Sequence, residues 1–100
     1  MSLPVVCELT PEALKARRAN LLGALVTRAE SREEIDDGLR LTFAASSDML
    51  RAVAETVDAE RQCCRWLSFQ LTVPPAGAPF VLTLTGPEGA REFLAAMFDL

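Results

Sequence analysis

Two adjacent cysteines, Cys63 and Cys64, stand in the run Glu60-Arg61-Gln62-Cys63-Cys64-Arg65-Trp66-Leu67, and a third, Cys7, lies near the N-terminus. Thiolates are soft donors and select soft ions such as Hg(II), Cu(I), Zn(II) or As(III). Two sulfurs suffice for linear coordination, and Cys7 is a candidate third if the N-terminal arm folds over. The chain has no histidine and no fourth cysteine. A closed tetrahedral zinc site within one chain would therefore need a carboxylate. The lack of histidine also excludes His-based triads and histidine as general base. No acid–base set beyond scattered carboxylates points to an enzyme. Neighbouring cysteines rarely pair with each other, because the short ring strains the backbone. In a reducing compartment they read as free thiols.

The same residues have a plainer reading. Free cysteine is among the most buried residue types and packs as a small apolar group. Cys64 falls on the apolar stripe of its expected helix, while Cys63 sits about 100° around it and is the more exposed thiol. Trp66 reads first as a core cap over a sheet end, and second as a substrate platform. Arg61 and Arg65 would favour thiolate, Glu88 would oppose it, and Glu60, Arg61 and Arg65 can equally be solvated. Two functions from different classes follow. One is a thiol-based domain that binds a soft metal or responds to redox state at Cys63 and Cys64. The other is a structural or interaction module with core cysteines.

Three helices and four strands must position these residues. Thr10-Pro11-Glu12 is a helix start, with Thr10 as cap and Pro11 at the first helical position, and Gly23 is its stop. Leu25 to Ile35 reads as a strand with blurred alternation. A three-residue loop Asp36-Asp37-Gly38, with Gly38 left-handed, sets Ile35 against Leu39. That register puts Leu25, Ala29 and Ile35 on the face of Leu39, Leu41 and Phe43. Ser46, Ser47 and Asp48 open the second helix, with Leu50, Val53, Val57 and Cys64 near one stripe and Ala54 beside it. Phe69, Leu71 and Val73, then Phe80, Leu82 and Leu84, alternate with polar residues on either side of Pro74–Pro79, which reads as a hairpin. Gly86-Pro87-Glu88-Gly89 starts the third helix, with Pro87 at its first position and an apolar stripe of Ala90, Phe93, Leu94, Met97 and Phe98.

The order α-β-β-α-β-β-α predicts a two-layer α/β (α+β) domain, a four-stranded antiparallel sheet with helices on one face. The expected core is Leu41, Phe43, Leu50, Val53, Val57, Phe69, Leu71, Leu82, Leu84, Phe93, Leu94 and Met97. Arg28, Glu30, Arg40, Thr42, Gln70, Thr72, Thr83 and Thr85 then line the opposite, polar face. That face or an edge strand is where a homodimer or protein partner would dock. In a hairpin the start of the third strand lies near the end of the fourth. Cys63 and Cys64 should therefore meet Gly86, Glu88 and Gly89 at one end of the sheet.

The chain is 100 residues long, half of them hydrophobic and 24% charged, which fits a single globular domain over 1–100, with 1–8 as an arm. Its net charge of −4 argues against nucleic acid as a partner. Met1–Leu9 lacks the pattern of a signal peptide, and no run approaches the roughly 18 apolar residues of a membrane span. The expectation is a cytoplasmic protein with no membrane partner.

The run Glu60 to Phe69, followed by Leu82-Thr83-Leu84-Thr85-Gly86-Pro87-Glu88-Gly89 and the helix after it, resembles a family of small, mostly uncharacterised bacterial proteins. Their shared pattern is Glu-x-x-Cys-Cys-x-aromatic-Leu-x-Phe with a Gly-Pro-x-Gly helix start. Such segments also occur beside or within MerR-like regulators of heavy-metal resistance. The resemblance covers about the last 40 residues well and implies Cys63 and Cys64 as the shared feature. Arg65 and Trp66 replace the family's Pro and Phe. No helix-turn-helix pattern precedes the domain here, so a regulator role is not carried over.

Overall fold

The computed structural model describes residues 23–98, and within them not the side chains of Gly23, Cys63 or residues 96–98. Its elements are α1 (Gly23–Thr27), β1 (Ser31–Ile35), β2 (Gly38–Phe43), α2 (Ser47–Cys63), β3 (Ser68–Thr72), β4 (Phe80–Thr85) and α3 (Ala90–Phe98). The strands form one antiparallel sheet in the order β1-β2-β4-β3. The architecture is therefore the expected α-β-β-α-β-β-α, a small α+β fold. The helix expected over Thr10–Leu22 lies outside the described residues.

The hairpin β3–β4 pairs Ser68 with Thr85, Phe69 with Leu84 and Leu71 with Leu82. On β2 and β4 the alternation is complete. Leu39, Leu41, Phe43, Phe80, Leu82 and Leu84 are buried under the helices. Opposite pairs share a face, so Arg40, Thr83 and Gln70 form a polar row on the other side, and Thr42, Val81 and Thr72 a mixed one. Arg28 and Glu30, expected on that face, precede the sheet instead. Glu30 ties its N–H to the Thr42 carbonyl at 2.7 Å.

The strand expected over 25–35 is two elements. Leu25 and Val26 are adjacent and both buried. A strand in a one-sided sheet cannot bury consecutive side chains, whereas a helix can. The last turn closes with Arg28 N–H to Leu25 O and Ala29 N–H to Val26 O, at 3.0 and 3.2 Å. The turn into β2 also differs from the expected three-residue loop. Ile35 pairs with Gly38 and Glu34 with Leu39, so Asp36 and Asp37 alone make the turn. Gly38 is a strand residue, absent from the positive-φ positions Ala76, Gly77 and Gly89. What requires glycine there is space: a Cβ at Gly38 would lie 1.7 Å from the Leu84 carbonyl oxygen.

This register puts Ile35 on the polar face and Arg32 and Glu34 on the helix side. It is tolerated because β1 is an edge strand whose Ser31–Glu34 are all exposed. With no buried face, hydrophobic pattern has no hold on its register. Glu34 reaches Arg91 of α3 at 3.7 Å, and on the opposite face Arg40 pairs with Glu33 at 2.7 Å.

Ser46 caps α2, its extended backbone letting Oγ accept from the Met49 N–H at 3.1 Å. The buried stripe runs through Met49, Val53, Thr56 and Glu60, with Leu50, Ala52 and Val57 packed beside it and Ala54 exposed. Thr56 is accommodated because its hydroxyl donates to the Ala52 carbonyl at 2.8 Å. The solvent face carries Arg51–Asp48 and Arg61–Asp58 pairs. The α3 helix packs over β2 and β1, and α2 contacts α1 and β3. It begins at Ala90, not at Pro87, because Gly89 has φ +96° and cannot be a helical residue.

Of the expected core, Leu41, Phe43, Val53, Leu82, Leu84 and Leu94 are buried, and Leu50, Val57, Phe69 and Phe93 are partly so. Met97's side chain is outside the description. Leu71 does not belong to the core: it is 36% exposed on the edge strand β3.

Candidate thiol site

The α2 helix ends at the vicinal pair. Cys63 is its last residue, and Cys64 leaves helical geometry at φ −103°, ψ 79°, while still donating its N–H to the Glu60 carbonyl at 2.7 Å. The Cys64 carbonyl then accepts from Leu67 at 3.0 Å, closing the turn through Arg65 and Trp66 into β3. Cys64 is 1% exposed. Cys7 and the side chain of Cys63 lie outside the described residues.

Glu60 is the larger departure from expectation. It is 1% exposed, on the same stripe of α2 as Cys64 and one turn before it. A carboxylate is rarely buried to this degree unless it has partners, and Glu60 does make a polar interaction. The signal for it was the spacing: Met49, Val53, Thr56 and Glu60 follow one another at helical intervals, but polar types at the last two hid the stripe.

Trp66 joins the start of β3 to the end of β4, which the antiparallel pairing brings together at one end of the sheet. Its ring stands edge-on to Phe93 of α3, with centroids 5.2 Å apart and planes at 87°. A Cβ on Gly86 would meet Trp66 Cε3 at 2.8 Å, so Gly86 is the floor on which the indole lies. The Trp66 side chain is 5% exposed, which fits the core-cap reading, yet its Nε1 is buried with no hydrogen-bond partner among the described residues. Such an orphan costs about 1–3 kcal/mol.

The remaining flanking residues divide. Arg61 turns to solvent and pairs with Asp58 at 2.8 Å. Arg65 is exposed and makes an interaction of its own. Gly86, Glu88 and Gly89 line an open cleft of about 160 Å³ with Asp36, Asp37, Arg91 and Glu92, where the Asp37 carbonyl accepts from Gly86 N–H at 3.1 Å. The turn after Cys64 and the start of α3 thus meet through Trp66, while Glu88 and Gly89 belong to a separate acidic cleft. Among the described residues no group of three or more Cys, Asp or Glu converges as a metal cluster, and no helix is long and apolar enough to cross a membrane.

No family model matches the chain, and no curated protein or solved structure shows significant similarity to it.

Proposed function

We propose that the chain is a thiol-based domain that binds a soft metal ion at Cys63 and Cys64. The observation that supports it is the unwinding of the backbone at Cys64. Consecutive residues on a helix point about 100° apart and cannot share an ion. At Cys64 φ is −103° rather than the helical value of about −63°, which turns its Cβ out of the regular helical step and relaxes that constraint. Two sulfurs match the linear preference of Hg(II) or Cu(I); As(III) would need Cys7 as a third. Glu60, buried one turn before Cys64, is the carboxylate that a zinc site on this chain would require.

Calorimetric titration with Hg(II), Cu(I), Zn(II) and arsenite tests the reading. The expected result is one ion per chain, with binding that weakens as pH falls because the thiols must lose protons. Cys63→Ser and the double change Cys63→Ser, Cys64→Ser should abolish it. Circular dichroism should show both variants folded. Equal binding by the double variant, or native thiols that do not react with a thiol titrant, would leave the cysteines as core residues of an interaction module.

A further inference from the structure

The two edges of the sheet are unlike. The β1 edge carries Arg32, Glu33 and Glu34, the sort of charge that discourages strand addition. The β3 edge reads Ser-Phe-Gln-Leu-Thr and carries none, although the chain as a whole has net charge −4. The large apolar side chains exposed among the described residues are Leu71, at 36%, and Val73, at 54%. Both lie on β3 or the residue that extends it. Leu71 shares the helix-side face with Phe69, which is only partly buried, and Val73 follows two residues on, where a continued strand would repeat that face.

We propose that β3 is the contact strand of a homodimer, paired antiparallel with β3 of a second copy about a two-fold axis through Leu71. A second copy fits because an uncharged strand meets itself without repulsion. It also fits because antiparallel pairing about a two-fold is self-complementary. With Leu71 opposite Leu71, Phe69 faces Val73 on the helix side and Gln70 faces Thr72 on the polar side. Every apolar residue of the strand then has an apolar partner. Pairing stops where Ser68 would meet Pro74, which has no N–H to give. A register centred on Gln70 would set the exposed Val73 against Leu67, which is already buried within its own copy. The two sheets join into one, and the edge of β3 that has no strand partner among the described residues is paired. This proposal does not depend on the thiol site.

Sedimentation velocity across the micromolar to millimolar range should show a reversible monomer–dimer equilibrium, since an interface this short falls at the weak end. Leu71→Lys should raise the dissociation constant by about tenfold or more. It removes an apolar pair from the axis and sets two like charges opposite each other. Val73→Lys should act in the same direction, while Glu33→Lys on the other edge should leave the equilibrium unchanged. Thermal unfolding shows whether each variant is folded. The register is read by Leu71→Cys under mild oxidation. Tryptic cleavage releases residues 66–91, which contain no native cysteine, so a disulfide-linked pair of that peptide reports the two-fold directly. A monomer at every concentration would overturn the proposal and assign the edge to another occupant, such as residues 1–22 of the same chain. A dimer indifferent to Leu71→Lys would overturn it too, and cross-linking through Gln70→Cys in place of Leu71→Cys would overturn the register.

Discussion

Replacing Gly38 by alanine tests the register of the β1–β2–β4 ladder. The new Cβ would lie 1.7 Å from the Leu84 carbonyl oxygen, 2.8 Å from the Leu84 carbonyl carbon and 3.0 Å from the Thr85 Cα. All three are backbone atoms of β4, a strand paired on both sides. No rotamer can relieve the contact, so β2 and β4 must part by more than an ångström near this row. Overpacking that side chains can partly absorb costs about 1–3 kcal/mol. Here the upper end applies, offset by about 0.4–1 kcal/mol from the stiffer unfolded chain. The net expectation is a loss of about 2–2.6 kcal/mol in urea unfolding, equivalent to a fall in Tm of roughly 10 °C or more for a domain of this size. Gly77→Ala is the internal comparison. Gly77 has φ +72° with nothing among the described residues within 4 Å of its missing Cβ, so its cost is conformational, about 1 kcal/mol. If Gly38→Ala costs no more than Gly77→Ala, Gly38 is a loop glycine and the register argued above is wrong.

Ser46→Ala should cost about 1 kcal/mol in the same unfolding assay, because it removes the acceptor for the Met49 N–H at the start of α2. Trp66→Ala should cost about 3–5 kcal/mol as a buried aromatic truncation. Trp66→Phe should cost less than half of that, since phenylalanine keeps the edge contact to Phe93 and leaves no orphaned N–H; equal losses would mean that Nε1 has a partner. The Arg40–Glu33 pair, with side chains 46% and 62% exposed, should give a coupling of less than about 1 kcal/mol in a double-mutant cycle, and that coupling should fade in high salt.

Much of the architecture was legible in residue order. Period-two alternation in Leu39–Phe43 and Phe80–Thr85 marked strands with one buried face, and the structure buries that face. The opening of α2 at Ser46, Ser47 and Asp48 could likewise be read locally, because capping involves only near neighbours. The errors fell where a neighbour distant in the chain decides. The register of β1 could not be read because Ser31–Glu34 are exposed on both faces, so burial of the strand does not select one pairing. Gly38 was legible as a glycine, but its reason is the Leu84 carbonyl, forty-odd residues away. Leu71 alternates as well as Leu82 does, yet β3 is an edge, and strand order is a property of the assembled sheet. For the candidate site, sequence alone determined the donor types, a vicinal thiol pair beside a carboxylate with no histidine to compete. Only the tertiary structure decided that Glu60 and Cys64 are buried and that Trp66 lies over Gly86. Chemistry is a property of residue type and comes with the sequence, whereas burial and approach depend on what the rest of the chain places alongside.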